Sequence, residues 1–346
     1  MKVGITYDLK DDYIKLGFKG EEIAEFDSEE TISGIEKALQ KSGFETERIG
    51  NINSLVKALG EGKKWDIVFN IAEGLYGFGR ESQVPALLDA YKIPYTFSDT
   101  MVLALTLHKG MAKHVVNSFG IETSPFKVVN KIDEIDKIEL TYPLFVKPVA
   151  EGTGKGISGK SLVNNKKELE EICKELIHKF KQPVIVEEYL PGREFTVGII
   201  GTGKRARVAG VIEVSHLKEN TTELVYGYHT KSEYLDVVKY TVPEEDIIKK
   251  CSKVALASWR ALECRDGGRI DIRFNRKNKP SFIEVNPLAG LNPIHSDLPI
   301  LCKKAGISFD MLINEIMNSA MLRIKSRKEK AEIKKWQAEN SLNAED

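Results

Sequence analysis

The stretch Gly268-Arg269-Ile270-Asp271-Ile272-Arg273-Phe274, followed by Phe282-Ile283-Glu284-Val285-Asn286-Pro287, decides the fold predicted for this chain. Successive side chains of a β-strand point to opposite faces, and two sets of alternate residues therefore share a face: Arg269, Asp271 and Arg273 on the first strand, and Phe282, Glu284 and Asn286 on the second. The polar segment 275–280 predicts a hairpin turn between the two strands. We therefore expect Asp271, Glu284 and Asn286 to converge on one point.

Carboxylate and amide oxygens are the ligands that Mg²⁺ prefers, and phosphates with water usually complete its octahedron. The hairpin therefore predicts a metal-bound nucleotide. The alternative is a half-exposed hairpin whose charges are solvated, because the same alternation is common in half-buried strands.

Composition limits the class of protein. The chain has 346 residues, 42% of them hydrophobic, which is enough for a large core divided into two or three domains. Lys plus Arg and Asp plus Glu are both 51, so there is no global basic field to attract nucleic acid or a membrane surface. The spacing of the four cysteines fits neither a redox nor a zinc motif, which favours reduced structural thiols. With no secretory signal and no long apolar run, we expect a cytoplasmic protein.

The order of predicted elements divides the chain into three domains and a tail. Residues 1–100 alternate strands with helices, which predicts an N-terminal α/β domain with a parallel sheet. An α+β lid domain at 101–190, opened by a helix over 100–119, and a second α+β domain at 191–318 with a polar loop near 216–240 follow. Residues 319–346 predict a charged, solvated helical tail.

The glycine-rich segment 151–161 fits several patterns. Gly154 to Ser161 matches a P-loop that would use Lys160 and Ser161, and Gly154, Gly156 and Gly159 match a dinucleotide fingerprint. Both motifs need a helix to begin where the loop ends, whereas the helical pattern starts only near Lys166. A flexible lid that folds over a nucleotide between two strands is favoured, with a plain hairpin turn as the structural alternative.

Two apolar strands end in polar residues beside this loop. Lys147 ends the first, where a buried ammonium would need an anion such as phosphate. The segment 187–190 ends the second and offers an adenine ring backbone groups and an apolar wall, while Glu194 can accept hydrogen bonds from a ribose. The alternative is a strand end with solvated glutamates.

Together, the segments 145–148, 151–156, 186–197, 268–271 and 283–287 resemble the ATP-grasp superfamily, and within it the D-alanine--D-alanine ligases. The resemblance covers about residues 90–318. It implies an ATP-grasp fold in which the nucleotide is bound between two α+β domains, preceded by a parallel-sheet domain.

The resemblance also implies site residues. ATP would be contacted by Lys109, Lys147, Thr153, Gly154, Glu187, Glu188, Tyr189, Leu190 and Glu194. Two Mg²⁺ or Mn²⁺ ions would be bound by Asp271, Glu284 and Asn286. The catalytic set would be Arg269, for charge on the reacting carbonyl, Lys231 on the substrate loop, and Gly290, which with Ser296 matches positions near the substrate carboxylate.

The function implied is an ATP-dependent carboxylate-amine ligase that joins small amino acids or other carboxylates through an acyl phosphate, as a homodimer. The alternatives are a P-loop kinase or NTPase using Lys160 and Ser161, and a non-catalytic ATP-binding protein. The first domain departs from the ligases. Their Ser-x-Glu element, which holds the substrate ammonium, has only Glu25 or Asp27 as approximate counterparts, and Glu73-Gly74 replaces their His-Gly segment.

Overall fold

The computed structural model of the chain describes residues 1–216 and 238–342. The predicted polar loop at 216–240 therefore lies almost wholly outside the described residues, and so does Lys231. Within the described ranges, no helix combines the length and the apolar character that crossing a bilayer requires.

Twelve strands in the described residues form three sheets. They are β1 (Lys2–Thr6), β2 (Glu45–Gly50), β3 (Ile67–Asn70), β4 (Phe126–Val129), β5 (Leu144–Pro148), β6 (Leu162–Val163), β7 (Val184–Glu188), β8 (Glu194–Ile200), β9 (Arg207–His216), β10 (Val238–Thr241), β11 (Gly267–Phe274) and β12 (Pro280–Asn286). The α-helices of the described residues are Lys10–Lys15, Glu29–Lys41, Ile52–Gly60, Gln83–Ala90, Thr100–Leu107, Lys109–Ser118, Lys166–Phe180, Glu245–Ala261, Asp297–Lys304 and Phe309–Leu342.

The first sheet is parallel, in the order β2-β1-β3, as the alternation of strands and helices predicts. Its apolar strands pack on the helix Glu29–Lys41, which begins where the Ser28 side chain accepts a hydrogen bond from the Thr31 amide. The α/β fold class is confirmed for this part of the chain.

The other two sheets are antiparallel, in the orders β4-β7-β5-β6 and β10-β9-β8-β11-β12. The helix Lys166–Phe180 packs on the four-stranded sheet, and the helix Glu245–Ala261 packs on the five-stranded sheet. In the latter, β11 lies between β8 and β12, so the predicted hairpin forms the end of this sheet.

The helix predicted over 100–119 is two helices, separated at His108. The His108 side chain caps the second helix by accepting a hydrogen bond from the Met111 amide at 3.2 Å. Apolar residues of both helices, Val102, Ala112 and Val116, belong to the core of the five-stranded sheet. The boundary predicted at residue 101 therefore does not separate these helices from the third domain.

The C-terminal helix crosses the boundary predicted at residue 318. Its first turns carry Ile316 and Met317 into the core that the first sheet shares with the helix Asp297–Lys304, and Ala320 is also fully buried there. The predicted tail is helical, but its beginning is part of the packed body rather than solvated.

A buried aspartate joins three parts of the chain near this helix. Asp266 accepts hydrogen bonds from the Phe97 amide at 2.9 Å and from the Thr202 and Ser319 hydroxyls, and it forms an ion pair with Arg323 at 2.7 Å. A buried carboxylate is stable only when such partners compensate its lost hydration.

Replacement of Asp266 tests how much these contacts, which we call the junction, contribute to the free energy of unfolding. Asp266→Ala leaves the Arg323 guanidinium without its counterion and the buried Phe97 amide without its acceptor, so we expect the free energy of unfolding to fall by about 3 kcal/mol or more. Urea denaturation followed by tryptophan fluorescence measures the change. Asp310→Ala is the control, because the pair that Asp310 forms with Lys41 is exposed and should contribute less than about 1 kcal/mol. Equal effects of the two substitutions would contradict this account of the junction.

Candidate active site

A cavity of about 140 Å³ lies between the four-stranded and five-stranded sheets. The residues predicted to contact the nucleotide all line it: Lys109, Lys147, Thr153, Gly154, Glu187, Glu188, Tyr189, Leu190 and Glu194. Arg269, Asp271 and Glu284 line it as well. The structure thus brings together residues that are up to 175 positions apart, as Lys109 and Glu284 show.

A second cavity, of about 110 Å³, adjoins the first on the side of the N-terminal domain. Lys109, Thr153, Arg269 and Glu284 line both cavities. The predicted residues Asn286 and Gly290 line the second cavity only, together with residues of the first domain. Arg269 and Glu284 therefore belong to the wall that the two adjacent cavities share.

Buried charges form the floor of the first cavity. Glu187, at the end of β7, accepts from Lys113 at 2.5 Å and from Lys147 at 3.4 Å. Lys147 also lies 3.4 Å from Glu284 on β12, and Lys109 lies 3.7 Å from the same carboxylate. Three lysines thus share two glutamates, and the set connects both sheets with the helix Lys109–Ser118.

These contacts set the protonation states. Burial alone would raise the pKa of Glu187, but Lys113 and Lys147 outweigh it and lower that pKa to about 2. Burial opposes the charge of Lys147 too, yet Glu187 and Glu284 hold its pKa above the usual lysine range. Lys147 is therefore a fixed cation facing the cavity. Glu187, which the sequence predicts to line an adenine site, lies in the structure as the buried counterion of Lys147.

The opposite wall carries the predicted metal ligands. Asp271 lies directly across from Glu284 in the β11–β12 pairing, and the Asn286 amide donates to Asp271 at 3.1 Å. Thr196 also donates to Asp271, at 2.9 Å. Burial, opposed by Arg269 and reinforced by Glu284 and Asp297, raises the pKa of Asp271 to about 6. Hard oxygen donors whose negative charges repel one another suit a divalent cation.

The pairing of β12 corrects one face assignment. Ile283 is the extra residue of a β-bulge, because Asp271 pairs with Glu284 whereas the next residue, Ile272, pairs with Phe282. Phe282 is consequently fully buried in the core and does not share a face with Glu284, contrary to simple alternation. Ile283 lines the first cavity instead and supplies an apolar contact surface.

Arg273 organises the far end of the first cavity. Its guanidinium lies 3.3 Å from Glu194, donates to the Tyr189 hydroxyl at 2.9 Å and stacks over the Tyr189 ring at 5.0 Å. Glu194 and Tyr189 are therefore held in place before any ligand arrives. The carboxylate of Glu188 is engaged elsewhere, because it accepts from the Thr141 amide.

The glycine-rich loop is attached to the first domain through Glu25. The Glu25 carboxylate accepts from the Gly152 amide at 2.7 Å and forms ion pairs with Arg80 and with Lys155 of the same loop. A Cβ on residue 152 would lie only 2.5 Å from the Glu25 oxygen and would displace this carboxylate from its contact with the loop. Thr153, Gly154 and Gly156 all have positive φ, the left-handed region expected of a tight loop.

The geometry does not support the P-loop alternative. Gly159–Ser161 is a single 3₁₀ turn that leads into β6, and the next α-helix begins at Lys166. Lys160 is an exposed residue paired with Glu175, and it lines neither cavity. Among the described residues, the α-helix that follows this loop begins five residues too late to hold phosphate there.

The sequence assigned no role to Lys113, Ile283, Arg273 and Asp297, which line the first cavity, or to Arg80, the partner of Glu25. A lysine inside an amphipathic helix is normally solvated, so the sequence carried no signal that Lys113 is fully buried. Arg80 is likewise an ordinary surface residue until its partner Glu25, 55 positions away, is known.

Comparison with known proteins agrees with this geometry. The sequence model of the family "D-ala D-ala ligase C-terminus" matches residues 115–318. The chain belongs to the D-alanine--D-alanine ligase family. It is accordingly an ATP-grasp ligase that forms an amide bond.

Individual relatives extend the match beyond that region. The D-alanine--D-alanine ligase of Aquifex aeolicus is 32% identical over 83% of this chain and 93% of its own length. An uncharacterized protein of Sinorhizobium fredii is 32% identical over 73% of this chain and 74% of its own length. A solved structure of the Bacillus anthracis D-alanine--D-alanine ligase complexed with ATP matches with a TM-score of 0.72 at 23% identity, over 95% of this chain and 99% of the other. These matches confirm the ATP-grasp fold.

The lowered pKa of Glu187 gives a pH-dependent test. Because its folded pKa lies below the ordinary 4.5, the ion pairs stabilise the fold fully above pH 4.5 and are lost as the pH falls toward about 2. Glu187→Gln should therefore lower the free energy of unfolding by about 3 kcal/mol at pH 7, and the difference from the wild type should shrink steadily below pH 4.5.

Urea denaturation between pH 7 and pH 3 measures this difference. Glu188→Gln is the matched control, since a glutamine oxygen can still accept from the Thr141 amide, and its effect should be small at every pH. A Glu187→Gln effect that stays constant with pH would rule out the ion pairs as its cause.

Proposed function

We propose that this ligase uses ATP to activate the carboxylate of one small amino acid, which the amine of a second amino acid then attacks. The observation that carries the proposal is the wall that the two cavities share. Fixed cations and hard oxygen donors lie in one, Arg269 and Glu284 line both, and the other is lined in part by the first domain. D-alanine is the first candidate for both substrates, because it is named for the relatives from Aquifex aeolicus and Bacillus anthracis.

The triphosphate would lie along the lysine side of the first cavity. Lys109 and Lys147 would then place their ammonium groups against phosphate oxygens, and both already share the Glu284 carboxylate. The base would lie near Tyr189, Leu190 and Ile283, and the ribose hydroxyls near Glu194. A preorganised cationic wall loses little energy to reorganisation when charge moves during phosphoryl transfer.

The first step would form a mixed anhydride. An oxygen of the substrate carboxylate attacks the γ-phosphorus, the bond to the bridging oxygen breaks, and ADP leaves with that electron pair. The product is an acyl phosphate. Lys109 lines both cavities and so can hold the transferred group while the substrate stays in the second cavity.

The second step would form the amide bond. The amine of the second amino acid attacks the acyl carbon, a tetrahedral oxyanion forms, and inorganic phosphate leaves as the nitrogen gives up a proton. Arg269, held 2.6 Å from Asp297 and 3.3 Å from Asp271, would stabilise that oxyanion. The glycine-rich loop, attached through Glu25, would keep water from the acyl phosphate.

The donor set on β11 and β12 fits a divalent cation. Asp271, Glu284 and Asn286 would hold Mg²⁺ or Mn²⁺, as one ion or two, and the metal would neutralise phosphate charge when bound. The homodimer implied by the sequence resemblance stays a prediction.

Paired lysine substitutions separate this proposal from a P-loop enzyme. Lys147→Ala should lower amino-acid-dependent ADP release by about 10² to 10³-fold, because it removes a preorganised cation from the phosphate wall. Lys160→Ala should leave the rate within about twofold, since this side chain is exposed and paired only with Glu175. A coupled assay of ADP release, with mass spectrometry of the condensation product, measures both. The reverse order of effects would refute the proposed site.

A further inference from the structure

Glu25 is an approximate counterpart of the family's ammonium-binding glutamate, but its carboxylate oxygens already accept as many hydrogen bonds as they can. Glu25 accepts from the Gly152 amide at 2.7 Å, from Arg80 at 3.2 and 3.0 Å and from Lys155 at 3.3 Å. A carboxylate offers about four acceptor positions, and these contacts fill them. Its side chain is only 8% exposed. Glu25 therefore has no capacity left for a substrate ammonium.

Two other carboxylates of the first domain line the second cavity. Glu73 follows β3, in the place of the family's histidine, and Glu81 lies in the short 3₁₀ turn before the helix Gln83–Ala90. Both are partly buried. Within the described part of the chain, neither forms a hydrogen bond or an ion pair through its side chain.

The remaining acids of this cavity are neutralised internally. Glu25 has Arg80 and Lys155, Glu151 has Lys155, and Glu284 has Lys109 and Lys147. Glu73 and Glu81 are the exceptions among the described acids that line the cavity. Burial raises the pKa of both, to about 7 for Glu81, where it outweighs the opposing charges of Arg80 and Lys109. For Glu73 the neighbouring Glu81 and Glu25 carboxylates raise the pKa further, against the charge of Arg80. The described residues thus place two acids without a hydrogen-bond or ion-pair partner beside the nucleotide cavity.

We propose that Glu73 and Glu81, rather than Glu25, hold the ammonium group of the carboxylate substrate, so that the enzyme activates amino acids and rejects 2-hydroxy acids and simple carboxylic acids. This inference rests on the proposed function. An ammonium supplies three hydrogen-bond donors and one positive charge, which is what two adjacent carboxylates without partners lack. With the ammonium at Glu73 and Glu81, the substrate carboxylate extends toward Lys109 and Arg269, which line the same cavity.

The test measures which carboxylate substrates the enzyme activates, independently of the second amino acid. Hydroxylamine replaces the second amino acid: its nitrogen attacks the acyl phosphate, the hydroxamate forms and inorganic phosphate leaves. ADP release is recorded with each common D- or L-amino acid and with the matching 2-hydroxy acid, D-alanine against D-lactate being one such pair. The wild type should use an amino acid at least about tenfold better than its hydroxy counterpart, because a charge-assisted contact contributes roughly 1.5–3 kcal/mol.

The variants Glu73→Gln and Glu81→Gln should each raise the KM for that amino acid about tenfold or more, with the KM for ATP unchanged. Neither carboxylate has a partner to lose, so the unfolding temperature should stay constant or rise, whereas a structural role would lower it. Glu61→Gln, an exposed site in the same domain, is the matched control and should change neither constant.

An unchanged amino-acid KM in both variants would overturn the inference, and so would equal use of the hydroxy acid by the wild type. These results leave ADP release intact and are therefore distinguishable from failure of the proposed function. Absence of ADP release with every acid would overturn both.

Discussion

The buried charges of Lys113, Glu187, Lys147 and Glu284 are the constraint on which the rest of the site depends. A buried ammonium group needs a nearby anion. Here Glu187 comes from the four-stranded sheet and Glu284 from the five-stranded sheet. The contacts therefore fix the distance between the two antiparallel sheets while they create the cavity between them. With Lys109, which also contacts Glu284, three lysines face two glutamates, and the one positive charge in excess makes the floor of the cavity a binding surface for a polyanion.

The site as a whole is divided by charge. Cations dominate the wall formed by Lys109, Lys113 and Lys147, whereas burial raises the pKa of Asp271 on one side and of Glu73 and Glu81 on the other. Acids with a raised pKa cost folding stability when they ionise, and their concentration around two adjacent cavities is typical of an active site. A triphosphate, a divalent cation and a substrate ammonium would each supply the charge that its own part of the site lacks.

The sequence was sufficient to predict which residues meet at the cavity where they are adjacent in a strand or lie at a strand end. Lys147, the segment 187–190 and the pair Asp271 and Glu284 line it as predicted for that reason. It was insufficient where a position depends on pairing between distant segments. The burial of Lys113 depends on its ion pair with Glu187, 74 positions away in the sequence. The β-bulge at Ile283 depends on the register of β12 against β11. The attachment of the loop to Glu25 likewise exists only in the folded chain.

This distribution of charge implies that a metal-bound triphosphate binds between the two antiparallel sheets. A crystal structure with Mn²⁺ and a non-hydrolysable ATP analogue tests this binding mode, because Mn²⁺ is located by its anomalous scattering. We expect an anomalous peak within coordination distance of Asp271 and Glu284, with the triphosphate against Lys147. An analogue bound elsewhere, or those carboxylates without any Mn²⁺ signal beside a bound analogue, would contradict it.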